Sequence, residues 1–158
     1  MKIHEPIVLI VDDSNLDGVL MKVAFARAGF LHAPRFAANG ADAIAYLQGD
    51  GCYSDRMEFP MPTVILMDLN MPGLNGLETL TWILTQALFK RIHIYVLSAS
   101  DRPEDIEEAY DLGANSFLLK PGNLDGLIKM VRVLAAWIDL SHFASSPKNK
   151  KREAKLTG

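Results

Sequence analysis

VILMDLNMPGLNG, residues 64–76, decides how the chain is read. Four apolar residues, Val64 to Met67, run into Asp68, and a turn with Pro72, Gly73, Asn75 and Gly76 follows. A short apolar run bounded by turn residues fits a strand buried on both faces, as in a parallel sheet. Ligands of open parallel sheets sit at the carboxyl ends of the strands. Asp68 therefore stands where chemistry is expected. Two other readings compete. A strand-end Asp can simply cap its own turn. A calcium loop fits Asp68 and Asn70 at alternate positions before Gly73, but it requires Glu at its twelfth position, where Thr79 stands.

Working outward, residues 7–11 form a second continuous apolar strand that runs into Asp12 and Asp13. Ser14 reads as the N-cap of a helix reaching about residue 28, stopped by Gly29. Its apolar residues Leu16, Val19, Leu20, Val23 and Ala24 recur at helical spacing and predict the buried face. Residues 33–37 form a weak strand near a sheet edge, and 41–47 a short helix after Asn39 and Gly40. Residues 49–62, GDGCYSDRMEFPMP, form a long loop. A helix over 77–88 follows the central strand, then a strand over 92–97 ending at Ser98, Ala99 and Ser100. Pro103 opens a helix that Gly113 ends. A fifth strand, 116–119, runs into Lys120 and Pro121. The last helix, 124–140, carries Leu124, Leu127, Ile128, Val131, Ala135 and Ile138 on one face. Strand and helix alternate five times, which predicts an α/β fold: a doubly wound, five-stranded parallel sheet with helices on both faces.

The chain has 158 residues, 49% of them hydrophobic, enough for one well-buried domain over residues 1–140. Residues 141–158 read as a polar, basic, disordered tail. They carry five Lys/Arg against one acid, a net +4, which leaves residues 1–140 at −7 within the total of −3. An acidic body excludes a nucleic-acid binder. No apolar run approaches the ~20 residues of a membrane span, and the N-terminus lacks a signal-peptide cleavage site. Cys52 is the single cysteine, so no disulfide forms within the chain. These features predict a cytoplasmic protein that does not associate with membrane.

The strand ends supply Asp12 and Asp13, Asp68, Ser98 and Lys120, and a parallel sheet brings all of them to one edge. Three carboxylates within about 5 Å repel by roughly 3 kcal/mol per pair at an effective dielectric of ~20, so they call for a cation. The ligands are hard oxygens with no His or Cys among them, which favours Mg²⁺. Lys120 offers a point charge for a phosphoryl group and Ser98 a hydroxyl donor. No Gly-x-x-x-x-Gly-Lys-Ser/Thr loop exists, so the phosphoryl group is expected on protein, with Asp68 as the nucleophile that forms an acyl phosphate.

Over residues 6–140 this set resembles the receiver domain of two-component response regulators. The motifs stand in order: Asp12-Asp13, Asp68 before Leu69-Asn70-Met71-Pro72-Gly73, Ser98-Ala99, and Lys120-Pro121. The resemblance implies the flavodoxin-like strand order 2-1-3-4-5. It implies that Asp68 accepts a phosphoryl group from a histidine kinase, and that Asp12, Asp13, Asp68 and the backbone carbonyl of Asn70 hold Mg²⁺. Ser98 and the Ala99 amide would bind the phosphoryl oxygens and Lys120 would pair with them. Phe117 occupies the aromatic switch position, Phe where Tyr would bring a hydroxyl. A cis Lys120–Pro121 bond is implied as well. No DNA-binding or enzymatic domain is expected after residue 140. The loop over 49–62 and the end of the last helix, with Trp137, resemble stand-alone regulators that partner phytochrome-type histidine kinases. Those regulators are often homodimers through the face of helix four, strand five and helix five, to which Tyr110, Phe117, Met130 and Trp137 belong.

A phosphorylation-controlled interaction module is thus expected, catalysing only its own phosphorylation and slow dephosphorylation. One rival is an aspartyl-phosphate phosphatase or phosphotransferase, which needs a second Asp two residues after the nucleophile, where Asn70 stands. A pseudo-receiver scaffold would lack an acid or the lysine, and none is missing. The kinase must dock on the rim beside the pocket. Asn15, Leu16, Asp17 and Leu20 on the first helix, and Pro121, Gly122 and Asn123 after Lys120, border it. Trp82 and Trp137 read as packing residues, and His4, His32, His93 and His142 lack any ligand pattern. Tyr53, Met57 and Phe59 either form a docking patch or anchor their own loop.

Overall fold

In the central strands alternate side chains point to opposite faces, and both faces are covered. Leu9, Val11, Ile65, Met67, Ile94 and Val96 enter one buried cluster, while Val8, Ile10, Val64, Leu66, Tyr95 and Leu97 enter another. This two-residue period is why the strands read as unbroken apolar runs. The structure, a computed structural model, describes residues 6–30, 32–141 and 143. Strands β1 (Val8–Val11), β2 (Arg35–Ala37), β3 (Val64–Met67), β4 (His93–Ser98) and β5 (Ser116–Leu119) pair in parallel in the order β2-β1-β3-β4-β5. Helices α1 (Asn15–Arg27) and α5 (Leu124–Leu140) cover one face. Helices α2 (Gly40–Gln48), α3 (Gly76–Thr85) and α4 (Pro103–Leu112) cover the other. The doubly wound, flavodoxin-like architecture is as expected.

Polar caps fix where the helices begin. Ser14, Asn39, Asn75 and Asn123 each accept a backbone N–H in the first turn, from Asp17 (3.2 Å), Asp42 (2.8 Å), Glu78 (2.9 Å) and Gly126 (2.8 Å). Each cap stands in the connection that follows a strand's carboxyl end, and Ser14, Asn75 and Asn123 close loops that border the site.

Four details depart from the sequence reading. Helix α1 buries Met21, Ala24 and Phe25, whereas Leu16 is 68% and Val19 57% exposed. Its apolar residues are spread around the helix, so spacing alone could not choose the face. Helix α3 stops at Thr85, and extended Gln86 leads into a short 3-10 turn, Ala87–Phe89. β2 begins two residues later than expected. The Lys120–Pro121 bond is trans, since no cis peptide occurs among the described residues. The flexible lysine stem reaches its partners from this geometry without a cis turn.

The long loop is tied down. The Arg56 guanidinium donates to the carbonyls of Tyr46 and Leu47, each at 2.6 Å, and of Phe59 at 3.1 Å, capping the C-terminal end of α2. Tyr53 and Phe59 pack on Tyr46 with ring centroids 5.0 and 6.0 Å from it. Both aromatics anchor the loop, and Met57 alone of the three projects, at 92% exposure. Among the described residues no helix is long and apolar enough to cross a membrane. Residues 144–158 of the expected tail, together with His4 and His142, lie outside the described residues.

Candidate functional site

β1 and β3 are neighbours in register, Val11 opposite Met67, and the Asp68 N–H extends the ladder to the Val11 carbonyl at 2.9 Å. Asp12 and Asp68 therefore leave the sheet side by side, at the point where the strand order reverses direction. Asp13 joins them, and carboxylate oxygens of the three lie within 4.8 Å of one another. The Asp12 and Asp68 side chains are 6% and 12% exposed, while Asp13 is open to solvent.

Lys120 arrives from the far edge. Its N–H bonds the Ser98 carbonyl at 2.8 Å, extending β5 against β4 by one residue. Its Nζ lies 2.7 Å from Asp12 Oδ2, 2.6 Å from Asp17 Oδ2 and 3.7 Å from Asp68 Oδ2. Burial alone would lower the Lys120 pKa, but bonds to Asp12 and Asp17 and the charge of Asp68 outweigh it and raise the value. The ammonium is a fixed positive charge of the site. The Asp68 carboxyl is pushed up, first by burial and then by the charges of Asp12 and Asp13, against the opposing pull of Lys120 and the Asn70 N–H.

The turn after Asp68 shapes the mouth. Leu69 and Met71 are buried at 5% and 7%, so exposed Asn70 is held between two anchors, and its N–H donates to Asp68 Oδ1 at 3.2 Å. The Gly76 N–H closes the loop on the Leu69 carbonyl at 3.1 Å. Ser98 is fully buried and its Oγ accepts the Ser100 N–H at 3.1 Å; Ala99 is exposed. Ser100 Oγ in turn donates to Asp105 of α4 at 3.1 Å. Phe117 is half-buried against the core under α4, and its N–H donates to the Tyr110 hydroxyl at 3.1 Å.

Asp12, Asp13, Asp68, Ser98 and Lys120 thus share one edge. The rim residues are nearby. Asn15, Gly122 and Asn123 are exposed, and half-buried Leu20 lines a small cavity of about 60 Å³ with Lys120, Pro121 and Asn123. Asp17 lines the same cavity, and its carboxylate is in addition committed to Lys120 at 2.6 Å. Helical spacing does not signal that pairing, because Asp13 precedes the Ser14 cap and lies outside α1. The bonds of Ser100 and Tyr110 had no signal either. His93 packs against Trp137 and Phe143, with centroids 5.7 and 5.2 Å away, as a core-edge ring.

Lys120 is shared with Asp17, so Asp12, Asp13 and Asp68 keep an excess of negative charge that a divalent cation would offset. All donors are hard oxygens. The donor set fits such an ion.

The response regulator receiver domain family matches residues 8–132. The response regulator Rcp1 of Synechocystis sp. is 34% identical over 134 residues, covering 84% of this chain and 89% of that protein. The phosphorylated cyanobacterial phytochrome response regulator RcpA superposes with a TM-score of 0.81 at 32% identity, covering 89% of this chain and 99% of RcpA. The Mn²⁺-bound form of Rcp1 superposes with a TM-score of 0.75 at 31% identity, again over 89% and 99%. The fold accords with these relatives, and the chain belongs to the response regulator receiver domain family.

Proposed function

We propose that the chain is a response regulator receiver whose Asp68 accepts a phosphoryl group from a histidine kinase in a Mg²⁺-dependent reaction, and that loading Asp68 switches partner binding. The observation that carries this reading is the convergence of Asp12, Asp13, Asp68 and Lys120 at the reversal point of the sheet. Asp68 is the nucleophile; Asp12, Asp13, Asp68 and the Asn70 carbonyl hold the ion. An ion held there would supply positive charge to offset the trio and to stabilise the oxygens of a phosphoryl group. Ser98 and the Ala99 amide take up further oxygens. Ser98, Phe117 and the bonds from Ser100 and Tyr110 link the pocket to α4, the element placed to report its state. Residues 1–140 constitute the receiver. Similarity to Rcp1 and RcpA supports a phytochrome-type kinase as donor, in the cytoplasm.

The test is uptake from acetyl phosphate, read by intact mass. One phosphoryl group is expected with Mg²⁺ present and none after EDTA, with recovery on adding Mg²⁺ back. Uptake that ignores EDTA would reject the metal role.

Kinase docking is assigned to the rim of α1 and the loop after Lys120, a mixed surface suited to a transient contact. Leu16 is its apolar centre, exposed beside the pocket. Leu16→Ala should slow transfer from the kinase about ten-fold, the scale of a contact worth ~1.4 kcal/mol, and leave acetyl phosphate labelling unchanged. Equal slowing with both donors would place docking elsewhere.

A homodimer through α4, β5 and α5 completes the reading. β5 is an edge strand, and Tyr110, Leu119, Val133 and Trp137 stay 40–65% exposed along this face. A groove of about 790 Å³ runs between β5 and α5, lined by Tyr95, Leu118, Met130 and Trp137 among others. Light scattering at ~100 μM should give a dimer, since a standard interface holds at that concentration. A monomer with and without acetyl phosphate would remove this part.

A further inference from the structure

The Lys120 ammonium has three protons to give. Two partners lie within hydrogen-bond distance, Asp12 at 2.7 Å and Asp17 at 2.6 Å, while Asp68 lies at 3.7 Å. Asp17 belongs to α1, in its first turn, and its backbone N–H is fixed by the Ser14 cap. At 33% its side chain is the most exposed of the three carboxylates paired with Lys120, against 6% for Asp12 and 12% for Asp68. A partly hydrated carboxylate gives up an ion pair at little cost, because water replaces the lost partner. Asp17 is therefore built to hold Lys120 and also to release it.

We propose that Asp17 is a positioning residue that keeps Lys120 off the phosphoacceptor in the resting state and yields it when Asp68 is loaded. This rests on the reading of Asp68 as phosphoacceptor. In the loading step an Asp68 Oδ–P bond forms and the P–O bond to the acetate of acetyl phosphate breaks. Acetate leaves with the electron pair, and the total charge is unchanged. The loaded group carries two negative charges where Asp68 carried one, so it outcompetes the single charge of Asp17 for the ammonium. Asp17 and the incoming phosphoryl group compete for one cation, and Asp17 thereby sets how readily the site loads.

The experiment is a double-mutant cycle on uptake from acetyl phosphate with Mg²⁺, followed by intact mass at donor concentrations high enough to track slow variants. Asp17→Asn should load about five-fold faster than the unaltered protein, the scale of one partly exposed ion pair. In a Lys120→Ala background the same substitution should change the rate by less than about two-fold, because it acts through the lysine. Thermal melting of each variant controls for folding. No acceleration by Asp17→Asn, or equal acceleration with and without Lys120, would overturn the proposal; the second result would mark Asp17 as a plain repulsive charge. Absence of uptake by the unaltered protein would instead overturn the reading of Asp68, and this proposal with it.

Discussion

Asp68→Asn is expected to reduce phosphoryl uptake from acetyl phosphate to background while the protein stays folded. An amide cannot supply the anionic oxygen that attacks phosphorus, and no neighbouring acid takes its place. Asp12 is engaged by Lys120 and by the Ser14 N–H at 2.9 Å, and Asp13 is solvated. Stability should move the opposite way from activity. A carboxyl raised by burial makes the folded state bind its proton more tightly than the unfolded state does. The stabilisation this provides is full below the ordinary carboxylate value and is lost as pH rises through the folded value. At neutral pH the ionised, crowded Asp68 costs stability, so Asp68→Asn without divalent ions should melt at or above the temperature of the unaltered protein. A lower Tm would mean that the lost uptake reflects damage to the fold.

Gly76→Ala should cost about 2–4 kcal/mol of stability, or roughly 6–12 °C in Tm. A Cβ at this position would lie 2.2 Å from the Asp68 carbonyl oxygen and 2.7 Å from Leu69 Cα. Both are backbone atoms, so relief requires moving the strand end that carries the nucleophile. Uptake should therefore fall together with stability. Gly73 provides the contrast. Nothing lies within 4 Å of its added Cβ, but its φ of +74° is left-handed, so Gly73→Ala should cost only about 1 kcal/mol. Equal effects of the two substitutions, read by thermal melting, would show that the close packing of the turn against Asp68 is not the constraint.

The architecture was legible because β1 and β3 are buried on both faces and end in acids, so two short stretches give strand, direction and site together. Lys120 and Ser98 followed from the rule that parallel strands end at one edge. The α1 face was not legible: Leu16 and Val19 are apolar yet exposed, and only packing against α5 selects Met21, Ala24 and Phe25. Nor was the pairing of Asp17. It depends on where the long Lys120 side chain comes to rest, from a residue 103 positions away. The Tyr110 hydroxyl on the Phe117 amide is of the same kind, since it needs α4 laid beside an unpaired strand edge. Continuous backbone features were readable from sequence, whereas contacts made by side chains meeting from separate elements were not.

The most direct test of Asp68 as the phosphoacceptor is to locate the acyl phosphate chemically. Borohydride reduces an aspartyl phosphate to homoserine with loss of phosphate, which marks the modified residue in the chain. After labelling with acetyl phosphate and Mg²⁺, peptide sequencing by mass spectrometry should find homoserine at position 68 and nowhere else. Homoserine at position 12 or 13, or its absence from a protein that has gained a phosphoryl group, would contradict the account.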